Sequence, residues 1–320
     1  MKKFMTELKG EWLETNADAY AQVIQHPYHV FNTVAFTQLN SSKCEEAFHL
    51  LYKDSKYRLG LTAGKRGGML LSPFSAPFGG FSFLKQDVQL AVIEKAVQQL
   101  EAFALSKSCS GIRLILPPLI YNETFLAKQM NVLYRMGYRN SNLDLDFYIP
   151  LQAGASYEEL LWYNAKKNLR ISQQQGFEVS VCNEDVTAQQ TIYEAIRENR
   201  ISKGKPMNMS WDDIRSTASV IPTDFFLLKR GDEAIAGAIV YKAAAGIRYV
   251  PFWGDWPGYA SLKPMNFLSH YIVQFYRRAG DRYLHIGIST ENSVPNYGLC
   301  EFKESIGCTI TPKLSFEKIF

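Results

Sequence analysis

Apolar and polar positions are most clearly ordered in the C-terminal half of the chain. Residues 177–181 alternate as a half-buried strand does, and 187–201 then repeat apolar residues at helical spacing through Ile192, Ala195 and Ile196. A second helix is predicted over 210–220, with Ser210 as N-cap and Asp212 and Asp213 in the first turn, where the helix dipole favours acids. Strands over 225–229, 234–243 and 247–252, turning at Arg230-Gly231-Asp232 and near Gly246, read as an antiparallel meander. A helix over 262–279, a strand over 282–288, a helix over 295–306 and a strand over 309–316 complete the half. The order is β, α, α, β, β, β, α, β, α, β.

The N-terminal half reads as a trimmed version of that order. It has a strand over 31–38, a helix over 43–51 and a hairpin over 57–71 turning at Lys65-Arg66-Gly67-Gly68. A helix over 86–105, a strand over 111–116, a helix over 123–136 and a strand over 143–149 follow. Residues 1–28 form a helix-containing lead-in. A Gly, Ala and Gln-rich stretch around 150–156 sets the expected boundary, giving 29–152 and 153–320 as two domains. The fold class is therefore α/β, with two tandem units that each flank a mixed, mostly antiparallel sheet with helices.

A length of 320 residues suits two medium cores better than one, and 47% hydrophobic with 21% charged residues is the composition of a globular chain. No run approaches the ~20 apolar residues of a membrane span, and the polar start resembles no signal segment, so a cytoplasmic protein is expected. Five cysteines, Cys44, Cys109, Cys182, Cys300 and Cys308, are widely spaced with no Cys-x-x-Cys pair. They predict reduced thiols and no metal site. A net charge of +4 is too mild for a dedicated nucleic-acid binder. The basic runs 166–170 and 197–205, and Arg277-Arg278 with Arg282, are the form that solvated helix faces take. Walker A, His-Glu-x-x-His, Gly-x-Ser-x-Gly and Rossmann strings are absent.

Three strings carry a resemblance. Lys166-Lys167-Asn168-Leu169-Arg170, running to Gly176, is a basic helix leading into a strand. Phe302-Lys303-Glu304-Ser305-Ile306-Gly307 is a Phe-Lys-x-x-x-Gly string, and 72–81 is a Pro and Gly-Gly loop. With the element order, these resemble the Fem-like branch of the GNAT acyltransferase superfamily, over most of the chain. In common GNAT proteins the late helix begins with Asn and carries a Tyr before its Gly. Here Asn296 keeps the first position and Lys303 stands in place of the Tyr.

The resemblance implies an N-acyltransferase. Its co-substrate would be acetyl-CoA or another acyl-CoA, and its acceptor an amino sugar or similar precursor of cell-surface glycan. Two alternatives stay open: a transferase taking an aminoacyl group from transfer RNA to a peptidoglycan precursor, and a non-catalytic binding protein. Acyl transfer to an amine needs a base and donors aimed at the developing oxyanion. Lys303 is the candidate donor, with a plain surface lysine as the other reading. Asp255, His285 and Glu291 are the candidate bases, and His285 reads equally as a hydrogen-bonded core residue. Gly258 and Ala260, with Ser261, stand where GNAT proteins cradle a pyrophosphate at a helix N-terminus, and Asn296 joins them as a cofactor candidate. Asp255 falls at the leading position of that motif, where an acid disfavours a pyrophosphate. Ser75, Phe78, Gly79, Gly80, Lys167, Arg170, Trp253, Trp256 and Tyr259 are candidate acceptor contacts, the three aromatics reading also as core packing.

Overall fold

The structure is a computed structural model that describes residues 10–152, Gly154 and 156–320. The described chain divides into two compact units. The first runs to Asp144 and takes back Pro312–Phe320; the second is Leu145–Thr311. The expected boundary at 150–156 lies a few residues further on, and Ala153 and Ala155 within it, like residues 1–9 of the lead-in, lie outside the described residues.

In the first unit, β1 (Glu11–Thr15) and α1 (Ala17–Val23) come from the lead-in, and Asn16 caps α1 by accepting from Ala19 N. The chain continues through α2 (Val34–Leu39), β2 (Glu46–Lys53), β3 (Tyr57–Arg66), β4 (Met69–Ser72), β5 (Phe81–Phe83), α3 (Leu90–Ser106), β6 (Gly111–Ile115), α4 (Glu123–Arg135) and the start of β7 (Arg139–Pro150). Two expectations are corrected here. Residues 31–38 form a 3-10 turn and α2 instead of a strand, because Thr33 caps the helix by accepting from Phe36 N. Residues 43–51 are largely strand β2 instead of helix, paired with β1 on one side and β3 on the other.

The predicted hairpin is present as β3 and β4, with Gly67 and Gly68 at positive φ in its turn. Helix α3 packs over this sheet, where Val92, Ile93, Val97 and Leu100 meet Leu50, Leu59, Leu61 and Ile112, and Trp12 Nε1 donates to Ala96 O at 2.7 Å.

The second unit begins within β7 and continues with α5 (Tyr157–Leu160), α6 (Tyr163–Gln173), β8 (Phe177–Val181), α7 (Val186–Ser202), α8 (Trp211–Ala218), β9 (Thr223–Arg230), β10 (Glu233–Ala244), β11 (Ile247–Asp255), α9 (Pro264–Arg278) and β12 (Tyr283–Ile288). A small hairpin of β13 (Thr290–Glu291) and β14 (Val294–Pro295), then α10 (Tyr297–Ser305), lead to β15 (Thr309–Ile319). The strand order in this unit is β7-β12-β11-β10-β9-β8. The predicted cap of α8 is a full capping box, in which Ser210 accepts from Asp213 N and the Asp213 carboxylate accepts from Ser210 N.

Helix α9 lays Leu268, Ile272, Val273 and Tyr276 on Phe226, Leu228, Val250 and Leu284. Helix α7 covers β10 and approaches so closely that a Cβ at Gly237 would lie 2.7 Å from Ile192. No helix among the described residues is long and apolar enough to cross a membrane.

Candidate functional site

Strands β11 and β12 are parallel neighbours, and their pairing creates the main feature of the second unit. They are in register only at Ile247↔Tyr283, Arg248↔Leu284 and Tyr249↔His285. Beyond Tyr249 the strands part. On the β7 side, β12 shifts register between His285 and Gly287, which leaves Ile286 as the extra residue of a bulge. Gly287 takes a positive φ of 73°, and a Cβ there would come within 3.3 Å of the Tyr249 ring, so glycine fits where other residues would strain.

The parting of the strands opens a cavity of about 550 Å³. Val250, Trp253 and Asp255 of β11, Ile286 and Ile288 of β12, Met265 of α9, and Asn296, Leu299, Phe302 and Lys303 line it. Helix α7 and the residues after it add Ile196, Asn199, Arg200, Lys203 and Lys205. One side is thus apolar and the other basic, with a single carboxylate on the wall. That carboxylate, Asp255, is fixed from α7: Asn199 Nδ2 donates to its backbone oxygen at 2.8 Å and to Oδ1 at 2.7 Å, and Lys203 Nζ donates to Asn199 Oδ1 at 2.8 Å. Gly254 permits this approach, since a Cβ would lie 2.9 Å from Asn199. Arg200 spends Nε on Pro206 O and faces no carboxylate among the described residues. Burial holds its pKa below the usual arginine range.

Lys303 reaches the cavity wall from α10 but is itself only 3% exposed. Its Nζ donates to the carbonyls of Ile286, Gly287 and Ile288 at 3.0, 2.8 and 3.0 Å and sits 5.0 Å from the Phe147 ring centroid. Burial lowers its pKa to about 8, and Asp146 opposes that shift. An ammonium has three protons, and all three are engaged.

The remaining sequence candidates fall in different places. His285 is buried on β12 with Nε2 2.7 Å from Asp146 Oδ1, and the Tyr249 ring stacks on it at 4.5 Å. It does not line the cavity. Glu291 lies on the β13–β14 hairpin in an exposed ion pair with Lys205 at 3.1 Å. Asn296 caps α10 by accepting from Leu299 N. Gly258, Ala260 and Ser261 are exposed on the loop into α9, outside the cavity lining. Trp253 meets the edge of Phe302, Trp256 extends the β10 pairing through its N–H to Ile235 O, and the Tyr259 hydroxyl donates to Glu233. Lys167 and Arg170 are on the exposed face of α6, opposite Ala165, Leu169 and Ser172.

Ser75, Phe78, Gly79 and Gly80 belong to the first unit, where β4 and β6 are the parallel pair corresponding to β11 and β12. There the loop fills its own strand gap. Gly79 N donates to Ile115 O at 2.8 Å, Gly80 N donates to Ser72 Oγ at 3.0 Å, and Phe78 is fully buried against His29, Phe31 and Tyr121. Ser75 donates to Asn40 Oδ1 beside a cavity of only about 10 Å³, space for one water at most.

Of the candidates read from the sequence, Trp253, Asp255, Asn296 and Lys303 line the cavity, whereas Asn199, Val250, Ile286, Ile288, Met265 and Leu299, which also line it, were not among them. Arg200, Lys203 and Lys205 were visible only as part of a basic run. Among the described residues no cluster of His, Cys, Asp and Glu could hold a metal.

No family model matches the sequence, and no curated protein matches it. Solved structures do match in fold. FemX superposes with a TM-score of 0.69 at 10% identity, over 97% of both chains. The C-terminal domain of a putative lysylphosphatidylglycerol synthetase from Agrobacterium fabrum gives 0.61 at 11% identity, over 94% of this chain and 92% of that one. A tandem GNAT protein from the clavulanic acid biosynthesis pathway gives 0.55 at 6% identity, over 97% and 98%. The chain has the Fem-like, tandem GNAT fold.

Proposed function

We propose that this chain is an acyltransferase that forms an amide in the cleft between β11 and β12, using an acyl-CoA donor and an amine acceptor such as an amino sugar of glycan synthesis. The observation that carries the reading is the parting of the two strands after Tyr249 and His285. It leaves a cavity with an apolar side, one fixed carboxylate and a basic rim.

A strand edge without a registered neighbour suits an extended donor rich in amides, which can pair with it as an added strand. The apolar lining of Ile286, Ile288, Leu299 and Phe302 suits an acyl chain, and Arg200, Lys203 and Lys205 suit donor phosphates. In the reaction the acceptor nitrogen attacks the acyl carbon and the new C–N bond replaces the C–S bond. Asp255 takes one proton from the attacking amine and returns it to the departing thiolate, so coenzyme A leaves as the thiol and the carboxylate is regenerated. Backbone N–H groups of β11 are the oxyanion donors in this reading, since the protons of Lys303 are spent.

An aminoacyl-tRNA donor is the second reading. It is favoured by the acid at the head of the expected pyrophosphate loop and by the fold likeness to the lysylphosphatidylglycerol synthetase domain. A thermal-shift and calorimetric screen of acetyl-CoA, longer acyl-CoAs, free coenzyme A and charged tRNA separates the two. A donor held at 100 times its Kd adds about 2.7 kcal/mol of apparent stability. Response to tRNA alone supports the second reading, and silence across all donors leaves a binding protein without transfer activity.

A further inference from the structure

Lys303 has the wrong surroundings for a group that donates a proton or a charge to substrate. Its ammonium is almost fully buried, and each of its three protons already points at a backbone carbonyl. Those carbonyls belong to consecutive residues, Ile286, Gly287 and Ile288. In a regular strand, consecutive carbonyls point to opposite sides and no single ammonium can gather them. Here the bulge and the left-handed Gly287 turn all three toward one point.

These carbonyls lie on the stretch of β12 that has left β11, which offers them no partner, while on the β7 side the ladder is interrupted by the bulge and resumes only at Gly287↔Phe147 and Ile288↔Asp146. A buried carbonyl without a donor is costly, and three adjacent ones would pull β12 back into regular pairing or open it to water. Lys303 removes that conflict with one compact group. Its ammonium lies over the Phe147 ring, and Asp146, bonded to His285 and to the Phe147 N–H, supplies the nearby negative charge.

We propose that Lys303 is a positioning residue: by gathering the carbonyls of Ile286, Gly287 and Ile288 it holds β12 bulged away from β11, and so keeps open the cleft in which the acyl donor lies. The part of the proposal that concerns the donor rests on the acyl-transfer reading; the part that concerns the strand does not. Arginine cannot replace it, because a planar guanidinium does not match three carbonyls converging on a point.

The test uses the full chain with Lys303→Met, Lys303→Arg and Gly287→Ala, the last leaving the lysine in place while disfavouring the bulge. Hydrogen exchange of peptides covering 250–255 and 286–289 is measured in each, with acetyl-CoA as the donor probe. All three variants should exchange there at least about tenfold faster than the parent while peptides of the first unit are unchanged. If acetyl-CoA binds the parent, its Kd should rise about tenfold or more in each variant, with Lys303→Arg no better than Lys303→Met.

Unchanged exchange in Lys303→Met, with a fall confined to kcat, would overturn the proposal and return Lys303 to the chemistry. So would full recovery in Lys303→Arg. Should Lys303→Met fail to fold, Gly287→Ala decides: unchanged exchange at 250–255 and 286–289 overturns the proposal. A parent that binds no acetyl-CoA but shows the exchange pattern would sink the acyl-CoA donor and leave the strand latch standing.

Discussion

His29 makes the first unit sensitive to acid by an amount that the structure allows to be worked out. The side chain is 1% exposed, enclosed by the rings of Tyr28, Phe31, Phe78 and Tyr121, and neither ring nitrogen makes a hydrogen bond of good geometry. Burial lowers its pKa from 6.5 to about 3. The unfolded chain therefore binds the proton more tightly than the folded one, so stability is complete above pH 6.5 and is lost as pH falls toward 3. At ~1.4 kcal/mol per pH unit, the loss at pH 4 is about 3 kcal/mol, a large share of an ordinary domain's stability.

His29→Phe keeps a flat ring among the other rings and removes the titration. Urea unfolding at pH 7 and pH 4, followed by hydrogen exchange of β2 and β3 peptides, should show the parent losing about 3 kcal/mol more than the variant. His49, which burial also lowers, is present in both proteins and cancels in the comparison. Equal losses in the two proteins would show that His29 does not titrate as a buried neutral ring.

Three further outcomes follow from particular contacts. Asp255→Asn keeps an oxygen for Asn199 Nδ2 but removes the proposed base, so turnover should fall by about 10²- to 10⁴-fold with the thermal midpoint nearly unchanged, and steady-state kinetics beside a melt check this. Ser210→Ala breaks the capping box of α8 and should cost about 1 kcal/mol in urea unfolding. Gly79→Ala places a Cβ 2.8 Å from Pro73 N in the filled gap of the first unit, and should destabilise that unit by about 1–3 kcal/mol, read from its exchange rates.

What the sequence revealed depended on whether the signal was local. Ser210 followed by Asp213, the turn at Gly231 and the alternation of 177–181 are local, and the elements stand where they were expected. Strand β2 was misread because it is covered on both faces. Phe48, Leu50, Leu51 and Tyr52 are all buried, and Leu51 packs against Tyr20 and Ile24 on the side away from α3. A strand buried on both faces loses its period of two and looks like a helix.

The site was harder to read than the fold. Asp255, Trp253 and Lys303 stood out by residue type and place, but the opening between β11 and β12 depends on where pairing stops, which no single residue announces. Gly287 inside a strand was the one local sign of it. The surroundings of Lys303 combine carbonyls only 15 to 17 residues before it, whose convergence depends on a bulge that residue types do not announce, with Asp146 and Phe147 from a distant strand.

The proposed function requires that an acyl donor bind in the second unit's cleft. Titration calorimetry of acetyl-CoA and a longer acyl-CoA against the parent and an Ile288→Trp, Leu299→Trp double variant decides this. Both positions line the cavity and are more than one-third exposed, so larger side chains fill it without disturbing the core. The parent should give saturable heat, and the double variant an affinity at least about tenfold weaker. Binding that the filled cleft leaves unchanged, or no binding of either donor to the parent, would contradict it.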